Sequence, residues 1–248
     1  NYQLYPEYLP SIPQLTKNKP EQMFEIPKYD HSTKIFDERG AQFVKTQRLL
    51  AVHQVTLDRK ESLNALNHSM IKELTGQLNV ALNSKSVSHL FIRSNSSPKV
   101  FCAGGDVKSL AQLRPDFNSQ IGFIKEEFEL NYALATCPKD TVAFLGGLVM
   151  GGGAGLSLHC KWRIASLETE FSMPECKIGW FTDVGSTFLL ARLPFSIGIW
   201  MGLTGNSLKA WDLYHLGVVT HVVPEERINN LHHELVNAIS SNFNIQSV

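Results

Sequence analysis

The stretch Gly146-Gly-Leu-Val-Met150-Gly-Gly-Gly-Ala-Gly155-Leu-Ser-Leu-His159 decides the fold. It follows Thr141 to Leu145, a β-branched and apolar run that reads as a strand, and it opens into a helix through His159. Glycines between a strand and a helix remove every Cβ where backbone must approach a neighbour or a ligand closely. The first turn of such a helix also leaves N–H groups free. A dinucleotide fingerprint fails in register, because Leu156 stands where the third glycine belongs, and no G-K-[ST] closes a phosphate loop. Two readings stay open: a site for a negatively charged oxygen, or a close-packing turn.

Strands and helices alternate on both sides of this run. Ala51 to Leu57 and His89 to Arg93 read as strands. Between them Asn67 can cap a helix through Asn83, with Met70, Ile71, Leu74, Leu78, Ala81 and Leu82 on one face. A helix is expected over Ile121 to Ala135. Strands are expected at Trp162 to Ala165, Glu170 to Met173 and Val218 to Val223, and a last helix at Pro224 to Ser240. The alternation predicts an α/β fold with crossover helices and no internal repeat. Residues 1–47 read differently. Pro6, Pro10, Pro13, Pro20 and Pro27 oppose helix and sheet alike, while Tyr2, Tyr5, Tyr8, Phe24 and Tyr29 are anchor-type residues. This segment is expected to be an extended Pro/Tyr-rich arm, either a disordered tail or an arm that docks on a protein partner. Residues 48–248 form the globular domain.

Composition narrows the function classes. The 248 residues carry 23 Lys+Arg against 23 Asp+Glu, so the net charge is zero and the pI about 7.3. A neutral chain does not bind nucleic acid through its own field. No apolar run reaches the roughly 18 residues of a membrane span, and no secretory signal is visible. The chain starts at Asn1, which leaves room for a removed leader. Cys102, Cys137, Cys160 and Cys176 form no C-x-x-C pair and read as buried or incidental thiols of a reducing compartment.

Two further segments carry candidate chemistry. Phe101-Cys-Ala-Gly-Gly-Asp106 again places backbone N–H groups beside glycines after a strand. With the glycine run it can supply one N–H apiece, the minimal oxyanion hole, unless the two are unrelated turns. Phe171-Ser-Met-Pro-Glu-Cys-Lys-Ile-Gly-Trp-Phe-Thr-Asp-Val-Gly185 sets Glu175 and Asp183 among apolar neighbours. Such surroundings raise a carboxyl pKa and suit acid–base or nucleophilic work. The alternatives are a salt-bridged loop residue for Glu175 and a helix N-cap for Asp183. Ser157 and His159 lack a G-x-S-x-G elbow, so His159 reads as a satisfied helix residue. His232 and His233 are placed on a surface helix with no need of a metal.

Taken together, in this order and spacing, these segments resemble the crotonase superfamily. The match begins at Leu57-Asp-Arg-Lys-Glu-Ser-Leu-Asn-Ala-Leu-Asn67, which looks like the family's first-strand signature, and runs to about Val223. The resemblance implies a spiral of ββα units with helices packed around the sheets, and a CoA thioester whose carbonyl oxygen is held by two backbone N–H groups. By position these fall on Ala103 and Gly152, and the family's CoA-binding basic residues on Arg59 and Lys60. Hydratases of the family carry a glutamate where Gly155 stands. The pattern G-G-G-x-G-L-S followed by M-P-E-x-x-I-G-x-F-x-D-V-G is similar instead to the 3-hydroxyisobutyryl-CoA hydrolases, whose acidic pair falls on Glu175 and Asp183. Gly146 and Thr182 depart from that pattern, and the chain is shorter than those hydrolases. The resemblance implies hydrolysis of a short-chain 3-hydroxyacyl-CoA in the mitochondrion, with no metal and no cofactor beyond the CoA of the substrate. Its alternative is a structural part of the mitochondrial small ribosomal subunit.

Overall fold

A computed structural model describes residues 38–95, 99–112 and 117–241. The chain enters through a short helix α1 (Glu38–Ala41) and an antiparallel pair, β1 (Val44–Leu49) and β2 (Val52–Leu57). β3 (His89–Ser94), β5 (Asp140–Leu145), β7 (Trp162–Ser166) and β10 (His221–Val223) add in parallel, giving a six-stranded sheet of order β1-β2-β3-β5-β7-β10. A second sheet has the order β4-β6-β8-β9, from β4 (Val100–Cys102), β6 (Leu148–Met150), β8 (Glu170–Ser172) and β9 (Leu208–Lys209). β4, β6 and β8 each come directly after β3, β5 and β7, and each pair is followed by a helix. This is the expected spiral of ββα units.

Helices occupy both faces of the large sheet. α2 (His68–Asn83) starts where expected, with the Asn67 side chain accepting a hydrogen bond from the Met70 N–H at 2.9 Å. With α4 (Phe117–Ala135) it covers one face. Successive residues of a strand point to opposite faces. Leu90, Ile92, Ala143 and Leu145 therefore join Leu74, Leu78 and Leu130 in the main core. Phe91, Val142 and Phe144 point the other way, onto Leu235, Val236 and Ile239 of α9 (Ile228–Ser240). Truncating a buried ring such as Phe91 to Ala would cost about 3–5 kcal/mol. α3 (Val107–Gln112), α5 (Gly152–Ser157), α6 (Ser186–Leu190), α7 (Ile197–Thr204) and α8 (Ala210–His215) are short.

Two expectations change. The boundary placed after residue 47 falls inside β1, whose backbone bonds to β2 tie it to the domain; residues 1–37 of the arm lie outside the described residues. His232 is buried rather than on a surface, because α9 lays it against Phe91 and Phe144 and hydrogen-bonds it to Gln54 Oε1. Burial, with Arg93 and His233 nearby, pushes its pKa down to about 4. One basic residue lies in the interior. Arg163 is buried and donates to the Val218 and Cys160 carbonyls at 2.7 and 2.6 Å, pinning β7 to the turn before β10. The four cysteines are free, with Cys102 and Cys160 buried. Among the described residues no helix is long and apolar enough to cross a membrane.

Candidate active site

The glycine run lies where β6 meets α5. Gly147 turns the chain from the large sheet into the small one at φ 71, and a Cβ there would run into the Lys99 carbonyl. Gly151 takes φ 44, and a Cβ on it would stand 2.5 Å from Glu175 Oε1. A side chain at either position is excluded. Gly152 opens α5, so its N–H has no intrahelical acceptor.

The second loop is braced from the first strand's end. Arg59 Nη1 donates to Asp106 Oδ2 at 2.7 Å and to the Ala65 carbonyl at 2.8 Å. Asn64 Nδ2 donates to the Phe101 carbonyl at 2.9 Å. Burial alone would raise the Asp106 carboxyl, but hydrogen bonds from Ser109 and Arg59 hold it below its ordinary range. Arg59 is therefore turned inward as a clamp, and Lys60 is the exposed cation beside it.

The same bracing moves one expected role. The Ala103 N–H donates to the Leu63 carbonyl at 3.0 Å and so is committed to the backbone. The Gly105 N–H meets no acceptor among the described residues, and it would stand 3.2 Å from a Cβ on Gly152. The two neighbouring N–H groups left without a backbone acceptor among the described residues are those of Gly105 and Gly152. Sequence reading missed Gly105 because the parallel bridge between Leu66 and Gly105 sets which amides of the loop are free.

Glu175 starts a single helical turn (Glu175–Ile178) after β8 and is buried, with Oε2 lacking a hydrogen-bond partner. Burial first, then the Asp183 charge, raises its pKa to about 7. Asp183 is half-buried and is not an N-cap. Its Oδ2 accepts from Trp180 Nε1 at 2.8 Å, and its pKa too is raised by burial. Val184, next to it, is buried at φ 49, a left-handed conformation that a β-branched residue adopts only under strain, and its carbonyl bonds His159 Nε2 at 2.8 Å. His159 is thus satisfied within the fold.

A third acid was not singled out from the sequence. Glu127 of α4 is 6 % exposed, and its Oε1 would stand 2.6 Å from a Cβ on Gly152. Burial, Asp183 and Glu175 together push its pKa up to about 8. One turn on, Asn131 fills the space beside Gly155, where a Cβ would stand 2.7 Å from its Nδ2. The site therefore joins two neighbouring N–H groups to three carboxyls with raised pKa values. Such a set suits stabilisation of an oxyanion beside a proton-transferring acid.

Comparison with known proteins fixes the lineage. The family described as Enoyl-CoA hydratase/isomerase matches residues 52–248. The chain belongs to this family. Within the enoyl-CoA hydratase/isomerase family, a mitochondrial 3-hydroxyisobutyryl-CoA hydrolase from Xenopus laevis is 39% identical over 188 residues, covering 73% of this chain and 47% of that protein. Small ribosomal subunit protein mS47 from Neurospora crassa is also 39% identical, over 177 residues, with 70% and 35% covered. An enoyl-CoA hydratase structure from Rhodobacter sphaeroides aligns with TM-score 0.75 at 35% identity, covering 79% of this chain and 58% of that one. The chain spans about half the length of the curated hydrolases it matches.

Proposed function

We propose that the chain binds a short-chain 3-hydroxyacyl-CoA thioester, of the 3-hydroxyisobutyryl-CoA type, and hydrolyses it to the free acid and CoA. The observation that carries this reading is the placement of buried Glu175, with Oε1 against Gly151, next to the free N–H groups of Gly105 and Gly152. Position 155, where hydratases of the family carry a second glutamate, holds only glycine, and Asn131 occupies its space. The site thus keeps one acid placed to activate water and lacks the partner that hydration uses.

In this scheme the thioester oxygen accepts from both N–H groups, each contributing about 3 kcal/mol as charge builds on it. Glu175, about half ionised at neutral pH, takes a proton from water while the hydroxide adds to the carbonyl carbon. Collapse of the tetrahedral intermediate breaks the C–S bond, and the CoA thiolate takes the proton back from Glu175. Asp183, tied to Trp180, tunes the field at Glu175. Lys60 is the cation offered to the CoA phosphates. The scheme uses no cofactor. The mitochondrial names of the hydrolase relatives support a mitochondrial location.

A second reading is favoured by the similarity to mS47: a structural component of the mitochondrial small ribosomal subunit, derived from such a hydrolase. Release of free thiol from 3-hydroxyisobutyryl-CoA by the wild type and by Glu175→Gln separates the two. Turnover that vanishes in the variant supports the hydrolase. No turnover by a folded wild type, with co-sedimentation on ribosomal particles in high salt, supports the structural role.

A further inference from the structure

Phe123, Glu127 and Asn131 recur every four residues on α4 and so share one face of it. That face covers the glycines of the site. A Cβ on Gly105 would meet the Phe123 ring at 3.9 Å, one on Gly152 would meet Glu127, and one on Gly155 would meet Asn131. Glu127 and Asn131 are 6 % and 4 % exposed. Glu127 Oε1 and both polar atoms of the Asn131 amide nevertheless have no hydrogen-bond partner among the described residues. Unsatisfied polar atoms clustered on one buried face are costly, and they mark a place where a polar group binds.

Electrostatics select the group. With its pKa pushed up to about 8 by burial and by the charges of Asp183 and Glu175, the Glu127 carboxyl is neutral at pH 7 and both donates and accepts. The Asn131 amide does the same. A neutral donor–acceptor pair facing two other carboxyls repels an anion and accepts a hydroxyl. With the thioester oxygen on the Gly105 and Gly152 N–H groups, an acyl chain that turns toward α4 meets this face.

We propose that Glu127 and Asn131 form the subsite that binds a hydroxyl on the acyl chain, and so set a preference for hydroxylated over plain acyl groups; this rests on the acyl-CoA reading above. The probes are two ketone analogues, of 3-hydroxyisobutyryl-CoA and of isobutyryl-CoA, in which a methylene replaces the thioester sulfur and hydrolysis is blocked. Calorimetric titration of the purified wild-type chain should show the hydroxylated analogue binding about a hundredfold more tightly, as expected when buried polar groups are left unpaired by the plain one. Glu127→Leu should cut that preference by about tenfold or more, through weaker binding of the hydroxylated analogue alone. Glu127→Gln, which still donates and accepts, should keep most of it. Should Glu127→Leu fail to fold, Asn131→Leu carries the same expectation. Equal affinities in the wild type, or equal weakening of both analogues in a Leu variant that melts at the wild-type temperature, overturns the subsite and leaves the acyl-CoA reading standing. Binding of neither analogue by the folded wild type overturns both.

Discussion

Replacing Glu127 by Gln measures what its burial does to the stability of the fold. The carboxyl has an ordinary value of 4.5 and stands at about 8 in the folded chain. The folded state therefore keeps a proton that the unfolded chain gives up. The stabilisation by the neutral acid is fully present below about pH 4.5, falls as pH rises and is exhausted above about pH 8. A shift of some 3.5 units at 1.36 kcal/mol each is on the order of 5 kcal/mol. Gln matches the neutral acid in shape and does not titrate. The difference in unfolding free energy, Glu127→Gln minus wild type, should thus grow by about 1.4 kcal/mol per pH unit across this window and then level off. Urea unfolding of both proteins, followed by tryptophan fluorescence from pH 5 to 9, gives that slope directly. A difference that stays flat across the window would falsify the reasoning, because it would mean that Glu127 ionises as a solvated carboxyl does.

Three other outcomes follow from the geometry. With Glu175 raised to about 7 and needed as a base, kcat/KM for the thioester should climb as pH passes through 7; a profile flat from pH 6 to 8 counts against Glu175. Gly152→Ala puts a methyl 2.6 Å from Glu127 Oε1 and 3.2 Å from the Gly105 N–H, so turnover should fall about a hundredfold, measured by thiol release, and retention of full activity would remove the oxyanion assignment. His232 has a folded pKa lowered to about 4, so the stability it contributes is present above pH 6.5 and is lost as pH falls toward 4; His232→Phe should cut the acid loss between pH 6.5 and 4 by roughly 3 kcal/mol, and an unchanged acid transition would show that the ring is not held neutral.

Much of this architecture was legible because it obeys local rules. The Asn67 cap, the apolar face of α2 and the alternation in β3 and β5 each show the period of their element. The strands of the small sheet were harder. β4, β6 and β9 have two or three residues, too few to display a period, and their pairing is set by partners distant in sequence. β1 was lost in the arm because Lys45, Thr46, Gln47 and Arg48 are exposed on both of its faces, leaving Val44 as its one fully buried position. In the site, Glu175 and Asp183 lie on one loop with a motif around them. Glu127 has no motif, and only the packing of α4 on the glycine run shows what it faces. The choice of Gly105 over Ala103 rests on one backbone bond to Leu63, which no composition or spacing predicts.

The bond between Gln54 and His232 spans 178 residues. Phe91, Val142 and Phe144 lose contact with water only when α9 settles on them. At about 5–20 residues per second of synthesis, β2 waits roughly 10–35 s for its partner helix to be made. From the synthesis of Phe91, and more so after Phe144, until α9 is made, the growing chain carries an apolar sheet face that invites aggregation. A lesion in α9 should therefore lower the yield of folded protein before it harms the finished site.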